Sequence, residues 1–195
     1  MMFITGKEAA AKLLADWKQD PMDGTRPLLD RVRPALLSLN DADVRSPVWA
    51  KGQHALTLHV DDITFPRAGF SAVMPYHLQR IVDWARGNAE RDWLIHCAQG
   101  VSRSPAAALV ACTALALGKP GDATVAAREA VQTVVAALAE TEAQGHRYGP
   151  ARPNARFLLL GDELLDCGGQ LVAAALEQWP TILPFLERAR GHLDT

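Results

Sequence analysis

The stretch Trp93-Leu94-Ile95-His96-Cys97-Ala98-Gln99-Gly100-Val101-Ser102-Arg103-Ser104-Pro105 decides how this chain is read. Trp93 to Ile95 predict a short buried strand that runs straight into His96 and Cys97. Downstream, Pro105 to Leu117 is apolar apart from Thr113. That run is too short to cross a bilayer, and a helix apolar all round belongs in the centre of a core. Ser104 is a suitable N-cap for it and Pro105 a suitable first helical residue. The unit is therefore strand, loop, helix, with Cys97 at the strand end and Arg103 six residues on.

The chemistry that wants this arrangement is phosphoryl transfer to sulfur. A loop entering a helix aims successive backbone N–H groups at one point, and the helix dipole adds partial positive charge there. Such a nest holds a tetrahedral oxyanion and favours the thiolate form of a cysteine at its base. Arg103 can fold back and grip two phosphate oxygens with its planar fork. Gly100 permits the backbone angles of a tight cradle. Ser104 is placed to hydrogen-bond the Cys97 sulfur and help it leave. Six fixed positions (His, Cys, Gly, Ser, Arg, Ser), each residue at about 5% usage, coincide by chance on the order of once in 10⁵ to 10⁶ such chains.

Working outward, Ala35–Leu39 and Ala55–Val60 read as two further strands, ending at Asn40-Asp41 and at Asp61-Asp62. Lys7–Trp17, Pro75–Gly87, Asp122–Ala143, Asn154–Leu165 and Thr181–Leu193 carry helical periodicity, with Pro21–Gly24 stopping the first and Gly118–Gly121 ending the central helix. Strands early, helices late and alternation between them predict an α/β domain around a mostly parallel sheet flanked by helices.

Composition bounds the rest. The chain has 195 residues, 49% of them hydrophobic, which is one ordinary domain and excludes a disordered or fibrous protein. Lys and Arg number 20 against 22 Asp and Glu, so no nucleic-acid or membrane partner is expected. The start, Met1 to Glu8, does not read as a signal peptide. Cys97, Cys112 and Cys167 are too scattered for a disulfide framework or a metal site, and free thiols fit a reducing cytoplasm. Cys112 reads as core and Cys167 as a bystander. No metal or cofactor is expected, and the oligomeric state stays open. His146, Arg147, Arg152 and Arg156 form the one local basic cluster, read as a solvated surface able to attract an anion.

The pattern His96-Cys97-x5-Arg103-Ser104 resembles the signature of the cysteine-dependent protein tyrosine phosphatases, in the dual-specificity-like branch, and the Asp62-Ile63 pair is similar to the acid position of small bacterial-type members. The resemblance is strongest over 35–165. Residues 1–30 then read as an N-terminal helical extension and 166–195 as a C-terminal helical segment of one domain spanning 1–195. It implies Cys97 as nucleophile and Arg103 with the backbone of Ala98, Gln99, Gly100, Val101 and Ser102 as the phosphate cradle. It further implies that His96 orients the loop and tunes the thiol. The family's general acid is an aspartate thirty-odd residues before the cysteine; Asp62 is favoured and Asp61 is the alternative. Asn154, in Pro153-Asn154-Ala155-Arg156-Phe157, is similar to a loop-supporting asparagine of the family, or is simply a helix cap. Gln99 departs from the family's frequent alanine. The tyrosine-recognition motif that deepens the pocket of the large receptor-type enzymes is absent, which implies a shallow pocket. The implied substrate is a phosphorylated protein or small phosphomonoester. Phosphoinositide and RNA 5′-phosphate remain alternatives, although no residue at 98, 99, 101 or 102 is basic. A phosphoprotein-binding pseudophosphatase is the reading from a different class.

Overall fold

A computed structural model describes residues 1–19, 34–47, 53–118, 122–145 and 149–192. The stop at Pro21–Gly24, most of the Gly118–Gly121 helix end, and the His146–Arg147 half of the basic cluster lie outside the described residues. Among the described residues, four parallel strands form one sheet: β1 (Met2–Gly6), β2 (Ala35–Asn40), β3 (Ala55–His59) and β4 (Trp93–Cys97), in the order β1-β4-β2-β3. The described helices around it are α1 (Lys7–Gln19), α2 (Pro75–Gly87), α3 (Arg103–Ala116), α4 (Ala123–Ala143), α5 (Ala155–Leu164), α6 (Gln170–Gln178) and α7 (Leu183–Arg190). The α/β reading with a parallel central sheet is what the structure has.

The pleat sorts side chains by parity. Ile4, Leu37, Leu39, Leu58, Ile95 and Cys97 join the large core beneath α2 to α5, whereas Phe3, Leu36 and Leu94 pack with Ala10, Leu13 and Leu14 on the α1 face. Cys97 thus points to the side where α3 begins, and His96, its neighbour, belongs to the opposite face. All five residues of β4 are buried, as a strand covered on both faces must be.

β1 carries no sequence signal of its own. Met2 to Gly6 is too short to separate strand from helix by periodicity, and its stability comes from pairing with β4, Gly6 standing opposite Cys97. The N-terminal segment therefore supplies a sheet strand as well as the expected helix. The C-terminal segment likewise holds two α-helices, α6 and α7, with a short 3₁₀ turn, Pro180–Ile182, between them.

The central helix is buried on every side through Ala111, as its composition demands. Gly161 of α5 lies so close that an added Cβ would stand 2.5 Å from Val110 Cγ2, so only glycine lets these two helices approach. One expectation is corrected at the start of α3. Its N-cap is Ser102 and its first residue Arg103, not Ser104 and Pro105. Pro105 falls two positions later, where its missing N–H is still among those without an intrahelical acceptor. Ser104 has a different partner.

Candidate active site

The loop from Cys97 to Arg103 is built by turning its carbonyls outward. Ala98 C=O accepts from Lys7 N–H at 3.1 Å, Val101 C=O from Arg152 N–H at 2.8 Å, and Ser102 C=O from Asn154 N–H at 3.2 Å. A planar trans peptide sets N–H opposite C=O, so the amides of Gln99, Ser102 and Arg103 turn inward. Gly100 N–H is directed at Cys97 Sγ, 3.2 Å away. The Ser102 hydroxyl does not cap α3, which leaves the positive end of that helix open toward the loop. Gly100 has φ +78°, and an added Cβ would lie 2.5 Å from the Thr5 carbonyl carbon. Glycine is thus required twice over: by its backbone angle and by β1 pressing on the loop.

Cys97 is 3% exposed, and its sulfur lies 3.3 Å from Ser104 Oγ. Ser104 therefore touches sulfur instead of capping the helix. Arg103 is 2% exposed. Its Nη1 donates to Val60 C=O at 2.6 Å and pairs with Asp41 at 2.8 Å. Its Nε is buried and has no hydrogen-bond partner among the described residues. One edge of the guanidinium is anchored while Nε is held back from water without an acceptor.

The two aspartates at the end of β3 separate cleanly. Both oxygens of Asp61 serve the backbone, Oδ1 accepting from Ala42 N–H at 3.1 Å and Oδ2 from Ser71 N–H at 2.6 Å. Asp61 braces the loop between β3 and α2. Asp62 is exposed, and its Oδ1 accepts from Ser102 Oγ at 2.7 Å and from Asn154 Nδ2 at 2.8 Å. The fold thus joins Asp62 to the Cys97–Arg103 loop, 40 residues further along the chain.

Asn154 caps α5 and meets the loop through its backbone, while its side-chain amide goes to Asp62. Its Oδ1 caps α5 by accepting from Arg156 and Phe157 N–H, its Nδ2 holds Asp62, and its own N–H holds the loop at Ser102. His96 is fully buried with Nδ1 3.5 Å from Cys97 C=O, and burial, opposed by that contact and aided by Lys7 and Arg103, lowers its pKa to about 4. It is a neutral imidazole at physiological pH.

The basic cluster is corrected. Arg156 is buried, donating from Nε to Val73 C=O at 2.8 Å, and burial lowers its pKa. Arg152 is exposed and lies over the Phe185 ring at 5.2 Å. Of these two, only Arg152 faces solvent. Asp41 is the site residue that sequence reasoning missed; nothing local marks it, and only the packing of β2 beside β3 brings it to Arg103. The loop after Asp62 also lines an open cavity of about 470 Å³, with Arg67, Phe70, Ser71, Met74 and Tyr76 among its walls.

No family model matches this chain, and no curated protein matches it. Among solved structures it is similar to the phosphatase domain of Yvh1 from Chaetomium thermophilum, at 21% sequence identity and a TM-score of 0.47, over 87% of this chain and 93% of that one.

Proposed function

We propose that this protein is a phosphatase of the protein-tyrosine and dual-specificity type, hydrolysing phosphate monoesters through a phosphocysteine. The observation that carries the reading is Arg103 Nε, buried and without a hydrogen-bond partner among the described residues, at the end of the loop that begins at Cys97 and turns the Gly100 N–H onto its sulfur. A buried N–H of a cation needs an acceptor, and a tetrahedral oxyanion over Cys97 supplies one.

In the first step Cys97 Sγ attacks phosphorus while the ester P–O bond breaks, and Asp62 delivers its proton to the departing oxygen. In the second step water attacks phosphorus as the S–P bond breaks, and the Asp62 carboxylate takes the water proton. Ser104 Oγ hydrogen-bonds the leaving sulfur. Arg103 and the loop amides bear the charge of the equatorial oxygens in both steps. His96, neutral and on the other face of β4, acts through the strand end and not on substrate. The substrate class is a phosphotyrosine, with phosphoserine and phosphothreonine also admitted, of a protein in the cytoplasm. The non-basic loop disfavours a polyphosphorylated headgroup.

Hydrolysis of p-nitrophenyl phosphate, with phosphopeptides, inositol lipids and triphosphate RNA run beside it, tests the reading. Wild type is expected to release phosphate and Cys97→Ser to be inactive. A turnover-competent serine variant, or phosphopeptide binding by wild type without phosphate release, overturns it.

A further inference from the structure

We infer that Ser102 and Asn154 are positioning residues that fix which oxygen of Asp62 carries the catalytic proton. The inference rests on the reading of Asp62 as the acid. Both donors converge on Oδ1, at 2.7 Å from Ser102 Oγ and 2.8 Å from Asn154 Nδ2. A carboxylate oxygen facing two donors has both lone pairs in use, and protonating it sacrifices a hydrogen bond. The proton therefore resides on Oδ2. From there it passes to the ester oxygen as the P–O bond breaks, and Oδ2 recovers it from water when the S–P bond breaks.

Each donor is diverted from a commoner task. Ser102 stands at the N-cap of α3, where a serine side chain ordinarily accepts from an amide two or three residues on; its hydroxyl makes no such bond. Asn154 caps α5 with Oδ1, a duty that aspartate or serine performs equally well. What asparagine adds is the Nδ2 donor, and that donor goes to Asp62. The amide orientation is dictated by its surroundings, because Oδ1 meets two N–H groups while Nδ2 meets a carboxylate oxygen. Ser102 also belongs to the phosphate loop, so the acid is referenced to the same backbone that cradles phosphate. A proton donor must sit within hydrogen-bond reach of the leaving oxygen, and rotation of an exposed carboxyl destroys that registration.

The test uses two substrates that differ in their need for a proton: phenyl phosphate, a poor leaving group, and 2,4-dinitrophenyl phosphate, a good one. Ser102→Ala and Asn154→Ser, the latter keeping a capping oxygen, are each expected to lower kcat/KM for phenyl phosphate by about tenfold, and for the dinitrophenyl ester by less than about threefold. Ser102→Thr, which retains the hydroxyl, is expected to restore the phenyl phosphate rate. Asp62→Ala is the reference and is expected to show the same selectivity at larger amplitude. Equal losses on both substrates, or no loss on either, overturn the inference while leaving Cys97 and Asp62 in their roles. If Asp62→Ala shows no leaving-group selectivity, the acid assignment falls and the positioning role with it.

Discussion

Cys97 and Cys167 both lie just before a helix, each followed by glycine in the connecting loop, yet the two helix starts are opposites. At α6 the site is already filled. The Asp162 carboxylate accepts from Gly169 N–H at 2.6 Å, from Leu171 N–H at 2.8 Å and from Val172 N–H at 3.2 Å. The anion is built in, and Cys167, pushed up to about 11 by burial and then by Asp162 and Asp166, is a neutral thiol. At α3 no side chain of the N-cap residue occupies the helix start, the loop carbonyls are pulled outward, and the carboxylates of Asp41 and Asp62 go to Arg103 Nη1 and to the Ser102 hydroxyl. The difference teaches that a cysteine before a helix is poised for anion chemistry only when the fold withholds the anion. Cys112, pushed up to about 12 by burial, is the third case: a thiol inside a helix and not before one.

The comparison is broken most sharply at the two sulfurs. Cys97→Ser is expected to abolish hydrolysis, whereas Cys167→Ser should leave kcat and KM for p-nitrophenyl phosphate near wild type; loss of activity at Cys167 alone contradicts the contrast. Next is the pair of aspartates. Asp62→Ala should lower kcat about 10²–10⁴-fold, while Asp61→Ala, which removes a loop brace, should lower the melting temperature more than the turnover; the reverse ranking makes Asp61 the acid.

His96 supplies a pH signature on the strand that carries Cys97. Its folded pKa, about 4, is below the ordinary 6.5 of an unfolded chain, so between those values the unfolded state binds more protons. Stability conferred by the neutral ring is complete above about pH 6.5 and is lost as pH falls toward 4, amounting to about 3 kcal/mol at the acid end. Urea unfolding across this range should show that slope in wild type and lose it in His96→Gln; an unchanged slope assigns it to other groups.

Asp162→Ala tests the filled helix start and should cost about 2–3 kcal/mol in urea unfolding without altering kcat. Smallest is Asp41→Asn, expected to lower kcat/KM about tenfold by loosening the anchored edge of Arg103; an unchanged kcat/KM makes that ion pair incidental.

The sequence by itself determined the α/β plan, because β3 and five of the helices announce themselves by local periodicity and β2, β4 and the central helix by short apolar runs, and it singled out Cys97 and Arg103 because both lie within one loop of fixed length. It narrowed the proposed acid to two neighbours. Tertiary structure gave those neighbours different partners, Asp61 being consumed by Ala42 and Ser71 while Asp62 meets Ser102 and Asn154. It also decided that Met2–Gly6 is a strand, that Asp41 backs Arg103, and that Arg156 is buried. The reason is range. A loop motif and a hydrophobic repeat are written in adjacent residues, but a partner contributed from another strand or helix leaves no mark in the residues beside it until the chain has folded.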